Sequence, residues 1–417
     1  MVRRVDVDTD SEILKHIDRR ELISLTKKLI AFRTTNPPGN ELACAQFIQD
    51  EMKEFGLDTH LQIVGKSRAN AVGTSHPRGR GRTLLLEGHI DTAPISEIER
   101  QHWKSNPFSA KIVNGRMFGK GVVDMKGGLA AILCAAKSVL TSGTKLNGNL
   151  VIAALADEEG LMSGVKQFVR SRESHAIDAC ISTEPLWGVQ TVIGGRTWGR
   201  ITVVGKATTS GVEPKFAFDS GYGNNAIHNA AILLAQLRRR GPSYPSNKQF
   251  RKSWWQVLQI EGGWNPENAP MCPETCSLTL EGRLVPGHSI ETFWREVAGV
   301  LARLERETPG FHANLEVLER RPSYSTPKNH RIVKELSSAF RKVMKENPVL
   351  NPFRYPMNST TDTNYLAAHG IPCVSIGPVE PGRVLAHEMF VANESVSLER
   401  IIDTCKIVSI ATSHYVT

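Results

Sequence analysis

Apolar and polar positions along the chain fall into short blocks whose period changes several times. ELISLTKKLIAF and NELACAQFIQDEMKEFG repeat apolar residues at helical spacing, the second through Ile48, Met52 and Phe55. TTNPPGN between them has the composition of a loop. TLLLEGHIDT, NLVIAALA and DACISTEP are short apolar runs suited to buried strands, and KGGLAAILCAAKSVL, opened by a glycine pair, reads as a helix among them. Buried strands alternating with helices predict an α/β fold, a mixed and mostly parallel sheet flanked by helices. In such sheets ligands bind beyond the carboxyl ends of the strands.

From residue 196 onward the pattern changes to strand WGRITVVGKA, helix NAIHNAAILLAQLRRRG, strands SWWQVLQIEGG and CSLTLEGRLVPG, helix IETFWREVAGVLARLERE and strand FHANLEVLE. The helices carry stripes at Ile227, Ala231, Leu234 and Leu237, and at Phe293, Val297, Val300 and Leu304. This β-α-β-β-α-β order is the ferredoxin-like α+β motif, which folds as an inserted domain. Helix IVKELSSAFRKVM and strand IPCVSIG then resume the α/β pattern. The expected boundaries are an α/β domain over 1–195 and 317–417, interrupted by the inserted domain at 196–316.

Composition adds exclusions. With 40% hydrophobic and 22% charged residues in 417, the chain is an ordinary globular protein. MVRRVDVDTDSEILKH interleaves charges where a secretory signal needs an apolar run, and no apolar segment reaches membrane-spanning length, so a cytoplasmic protein without a membrane partner is expected. Seven scattered cysteines read as reduced thiols rather than a disulfide framework. The formal charge of +9 has its densest expression in HPRGRGR at 76–82, which lacks interleaved aromatics and reads as a solvated loop; no nucleic-acid partner is expected.

Five clusters carry acceptors suited to a divalent cation, each at a predicted strand end or in the loop after it: GHIDT (His89, Asp91), GKGVVDMKGG (Asp124), ADEEG (Glu158, Glu159), STEP (Glu184) and VLAHE (His387). Singly each has a plain explanation; Asp124, for instance, could be a helix N-cap. Together, two imidazoles and several carboxylates match the nitrogen and oxygen ligand chemistry of zinc, manganese or cobalt. Asp91 lies two residues after His89, so on an extended chain it can hold the imidazole by its second nitrogen.

GHIDT, GKGVVDMKGG, ADEEG and STEP, in that order, resemble the dinuclear-metal amidohydrolase and exopeptidase family that includes aminoacylase, carboxypeptidase G, acetylornithine deacetylase and succinyl-diaminopimelate desuccinylase. The likeness runs over nearly the whole chain, including NNAI, IEGG and GRLVPG of the inserted domain. It implies hydrolysis of a C–N bond in a small, carboxylate-bearing substrate, with two divalent metal ions (Zn, Mn or Co) as cofactors. Asp124 would bridge the ions, with His89 and Glu184 on one and Glu159 and His387 on the other. Glu158 would be the general base that takes a proton from water and returns it to the leaving nitrogen. Arg283 corresponds to the arginine that meets a substrate carboxylate, and Asn268 in GGWNPENAP is a weaker match. The inserted domain would act as a lid and form a homodimer or higher homo-oligomer.

The chain departs from the family twice. HEMFVANESV places Glu388 directly after the last histidine and Glu394 later, so that loop is longer than usual. GKATTS has Thr209 where family members carry a lid histidine that polarises the scissile carbonyl. One consequence is a deacylase or dipeptidase in which Arg283, His288 or a metal supplies that function. The other is a hydrolytic deaminase of an electron-poor aromatic amine, like the nitroanthranilate aminohydrolase relatives, with the lid aromatics Trp198, Phe216, Phe218, Tyr222, Trp254, Trp255 and Trp264 available for stacking. An inactive binding relative is a third reading, against which Glu158 argues, since mere binding has no use for a base.

Overall fold

The computed structural model describes residues 9–75, 81–263, 271–352, 358–381 and 391–417. The chain forms two compact units, one made of Met1–Val192, Ser325–Phe353 and Thr361–Thr417, the other of Ile193–Tyr324 and Arg354–Thr360.

The first unit is built on a six-stranded mixed sheet in the order Asp58–Gly65, Arg68–Thr74, Asn149–Leu155, Thr83–His89, Ala179–Ser182, Cys373–Ser375. The last four strands run parallel, and the two before them join antiparallel. Every residue of Thr83–His89 is buried, as befits a central strand with a partner on each side and the apolar run Leu84–Leu86 at its middle. Helix Lys126–Thr141 is buried nearly all round, because LAAILCAA leaves it no polar face, and helices Arg19–Ala31 and Leu398–Val416 pack over it. A separate three-stranded ribbon pairs Ser395–Ser397 with Arg116–Phe118, and that strand with Lys111–Val113.

The second unit has the β-α-β-β-α-β order, with an antiparallel sheet arranged Trp254–Gly262, Thr275–Leu284, Gly195–Val204, His312–Arg321. Helices Ala226–Arg240 and Ile290–Glu307, capped by the side chains of Asn225 and Ser289, share one apolar cluster with the sheet. Gly282 is required there: a Cβ would come within 2.8 Å of the Phe293 ring. The stripe on Ile290–Glu307 is buried as its spacing predicts. On Ala226–Arg240 the predicted stripe is rotated: Ala226, Ala230, Leu233 and Leu237 are buried, while Ile227 is 40% exposed. Both faces of that helix offer apolar residues, and the one bearing small alanines fits closest to the sheet.

Candidate metal centre

The register of the central strands decides where the candidate ligands meet. His89 pairs with Leu155 on one side and Glu87 with Ser182 on the other, so two residues beyond each neighbouring strand the chain reaches Asp157 and Glu184. Asp124 ends the turn that precedes helix Lys126–Thr141. Gly128 lets that helix approach, since a Cβ there would lie 2.5 Å from the carbonyl oxygen of Thr183, next to Glu184. The result is a buried group in which ligating atoms of His89, Asp124 and Glu184 all lie within 4.8 Å of one another.

The electrostatics suit a cation. The Nδ1 of His89 is 2.9 Å from the carbonyl oxygen of Asp91, which can only accept, so Nδ1 donates and Nε2 is left to face Asp124 Oδ1 at 3.0 Å. Burial opposes a charge on this imidazole, but Asp124, by hydrogen bond and charge, together with Glu158 and Asp91, raises its pKa well above the usual histidine range. The Glu159 carboxyl is pushed well up by burial and by the charges of Asp124 and Glu158, and Glu184 by burial and by Glu158. One oxygen of each is buried without a hydrogen-bond partner. Carboxylates crowded together, an imidazole presenting one nitrogen and orphaned oxygens fit a divalent ion with nitrogen and oxygen ligands.

The first acid of ADEEG is structural. Asp157 sits at φ +70 and anchors the turn: it accepts from Ser163, from Asn36 at 2.8 Å and from the Arg68 guanidinium. Arg68 also reaches the Asn36 side chain at 2.8 Å and the Pro38 carbonyl at 2.6 Å. Asn36 donates in turn to Asp91 at 2.8 Å, and the two oxygens of Asp91 take the backbone amides of Glu158 and Glu159 at 3.0 and 3.1 Å. Asp91 does sit beside the imidazole, as its spacing from His89 predicts, but the ring's hydrogen bond goes to its backbone carbonyl rather than to its carboxylate. Its carboxylate stands 3.7 Å from Nδ1 and caps the glutamate turn, while its backbone orients the ring. Asn36 and Arg68 carry no motif, and sequence reasoning missed both.

Arg283 lies in the second unit on strand Thr275–Leu284, held by Glu281 at 3.1 Å and the Asn358 carbonyl at 2.9 Å. Arg196 shares Glu281 at 2.5 Å and stacks on Trp198 at 4.6 Å, and Arg321 lies 5.2 Å from the same ring. Thr209 is exposed and, with Thr208, Ser210 and His228, lines an open cavity of about 580 Å³ within that unit. His288 is buried, hydrogen-bonded to Ser253 at 3.0 Å and edge-on to Phe293. His387, Asn268, Glu388, Trp264 and the basic residues of 76–80 lie outside the described residues.

A mixed sheet with a buried acid and imidazole cluster at its carboxyl end, interrupted by a ferredoxin-like unit, is the architecture of a metal-dependent hydrolase. A family profile described as Peptidase family M20/M25/M40 matches residues 85–411, and the chain belongs to that family. Among curated relatives, the N-formyl-4-amino-5-aminomethyl-2-methylpyrimidine deformylase of Bacillus subtilis (strain 168) is 27% identical, over 94% of this chain and 93% of its own. A succinyl-diaminopimelate desuccinylase of Nitrosospira multiformis is 26% identical, over 86% and 90%. Among solved structures, the M20 family metallo-carboxypeptidase Sso-CP2 of Sulfolobus solfataricus has the same fold, with a TM-score of 0.74 at 16% identity over 95% of this chain and 99% of that one. Human carnosine dipeptidase 1 aligns with a TM-score of 0.71 at 14% identity over 98% and 99%. The protein is thus an enzyme, a metal-dependent hydrolase acting on C–N bonds.

Proposed function

We propose that this enzyme cleaves the amide bond of a small N-acyl substrate, releasing a carboxylic acid and an amine. The observation that carries the reading is the buried group of His89, Asp124 and Glu184, next to a glutamate turn whose backbone is fixed by Asp91. Two divalent ions, zinc, manganese or cobalt, would be held by His89 and Glu184 on one side and Glu159 and His387 on the other, with Asp124 between them. Bound there, they would polarise the amide carbonyl and lower the pKa of water from about 15.7 toward 7. Glu158 takes the proton of the attacking water and returns it to the leaving nitrogen. Asp91, Asn36, Asp157 and Arg68 hold the turn so that Glu158 and Glu159, though adjacent, keep different roles.

The relatives named for removing formyl and succinyl groups favour the deacylase reading over aromatic deamination. For a carboxylate-bearing substrate, Arg283 is the receiving group: Arg196 and Arg283 share the one carboxylate of Glu281, which leaves positive charge to spare. We also assign the inserted domain, expected at residues 196–316 and lying within the second unit, to dimerisation. Leu258 and Ile260, on the outer strand Trp254–Gly262, are 50% and 54% exposed. No described helix is long and apolar enough to cross a membrane, and a cytoplasmic location is part of the proposal.

A product assay tests the reading. Metal-loaded enzyme is incubated with N-formyl and N-acyl amines and amino acids, dipeptides, and aminobenzoates bearing nitro groups. Free amine from the amides supports it. Ammonia and a hydroxylated ring from the aminobenzoates, with the amides inert, would instead establish the deaminase that the threonine at position 209 left open.

A further inference from the structure

One buried acid near the carboxyl end of the chain lies outside the cluster of His89, Asp124 and Glu184. Glu394, in ANESV, is 1% exposed. Its Oε1 accepts the backbone amides of Val123 at 2.8 Å and Asp124 at 3.4 Å, and its Oε2 accepts that of Gly121 at 3.1 Å. Its own carbonyl takes the amide of Gly119 at 3.0 Å. The Nζ of buried Lys120 stands 4.0 Å from Oε2. A single residue from the far end of the chain therefore receives the amides of residues 119, 121, 123 and 124, in the turn that ends at Asp124.

Glu394 is itself fixed from both sides. Ser395–Ser397 pairs with Arg116–Phe118, which leads directly into the turn. The Asn393 side chain donates to the His102 carbonyl at 2.9 Å and accepts the Lys104 amide at 2.8 Å. The turn has no strand ladder to define it and passes through Gly121 at φ +83. Amides converging on one carboxylate form a nest that selects one backbone path. That path sets Asp124 Oδ1 3.0 Å from His89 Nε2.

We infer that Glu394 is a positioning residue for metal binding: it shapes the turn that presents Asp124, and so sets divalent-cation affinity through Asp124 rather than as a ligand. This rests on Asp124 being a metal ligand, as proposed above. The test uses the full-length chain with zinc as the probe, titrated in competition with a chromophoric chelator. Wild type is compared with Glu394→Gln, Glu394→Asp and Asp124→Asn, with far-UV circular dichroism and melting of the chelated forms recorded alongside. Glu394→Gln keeps one accepting oxygen but sets an NH2 group against the backbone amide that the other oxygen received, and zinc affinity is expected to fall about 10- to 100-fold with an unchanged dichroism spectrum. Glu394→Asp, shorter by a methylene but still an acceptor, should fall between. Wild-type zinc affinity in Glu394→Gln, accompanied only by a lower melting temperature, overturns the proposal and leaves a purely structural role. Should that variant not fold, wild-type affinity in Glu394→Asp overturns it equally. Unchanged affinity in Asp124→Asn would locate the failure in the ligand assignment instead.

Discussion

Arg68→Met removes the guanidinium that ties the glutamate turn together while keeping most of the side chain's length. Arg68 contributes charged hydrogen bonds to Asp157, Asn36 and Pro38, and its Nε lies 3.6 Å from Glu41. Hydrogen bonds to charged groups are worth about 1.5–3 kcal/mol each, and removing one partner of a buried pair costs about 3–5 kcal/mol. The side chain is 19% exposed, so water replaces part of what is lost, and Asp157 keeps its bonds from Asn36 and Ser163. A loss of about 3 kcal/mol follows, which in a domain of this size lowers the melting temperature by about 6 °C. The second effect is specific. Asp91 and Asn36 lose their outer support, the amides of Glu158 and Glu159 are held less firmly, and metal affinity should fall about 10- to 100-fold. Thermal melting and chelator competition on the same samples read the two effects separately. Unchanged metal affinity in a destabilised variant would refute the coupling between the arginine and the site; no change in either would refute the network.

Three other outcomes follow from the structure. Glu158→Gln should bind metal like wild type and lose about 10²–10⁴-fold in kcat, whereas Glu159→Gln should weaken metal binding, and equal metal loss in both would show that base and ligand are misassigned. Burial, helped by the charge of Asp91, raises the Glu41 carboxyl to about 7, and burial raises Glu87 to about 7 from the usual 4.5, so the fold favours their protonated forms. That stability is fully present below about 4.5 and is lost as pH rises through about 7; chelated protein should therefore melt at lower temperature at pH 8 than at pH 5.5, and the opposite slope by scanning fluorimetry would count against the buried-acid picture. Ile260→Glu should convert a dimer to monomer in light scattering while leaving the melting temperature within about 2 °C, since the residue is exposed; a monomeric wild type would remove the basis for that assignment.

Much of the candidate site was legible because the strand-end residues proposed as ligands sit directly beside the apolar runs that predict the strands. TLLLEGH, NLVIAALA and ACIS announce both the strands and the places where His89, Glu159 and Glu184 emerge. What was not legible depends on backbone groups. Asp91 has the right spacing to meet the imidazole, but its spacing does not show that the hydrogen bond comes from its backbone carbonyl while its carboxylate takes the amides of Glu158 and Glu159. Arg68 and Asn36 act on Asp157 from a strand and a loop remote in sequence, and no local pattern marks an arginine that supports a turn. The face of helix Ala226–Arg240 was misread because its alternatives were both apolar, so spacing could not choose between alanine and isoleucine stripes.

The proposed function requires that the buried acid and imidazole cluster around His89, Asp124 and Glu184 hold two cations. The most direct measurement is the metal content of purified protein, stripped with chelator, reconstituted with zinc, manganese or cobalt and analysed by mass spectrometry. Two ions per chain are predicted, with C–N hydrolysis lost on stripping and regained on reconstitution. One ion or fewer at saturation, in protein that is fully active, would contradict the account.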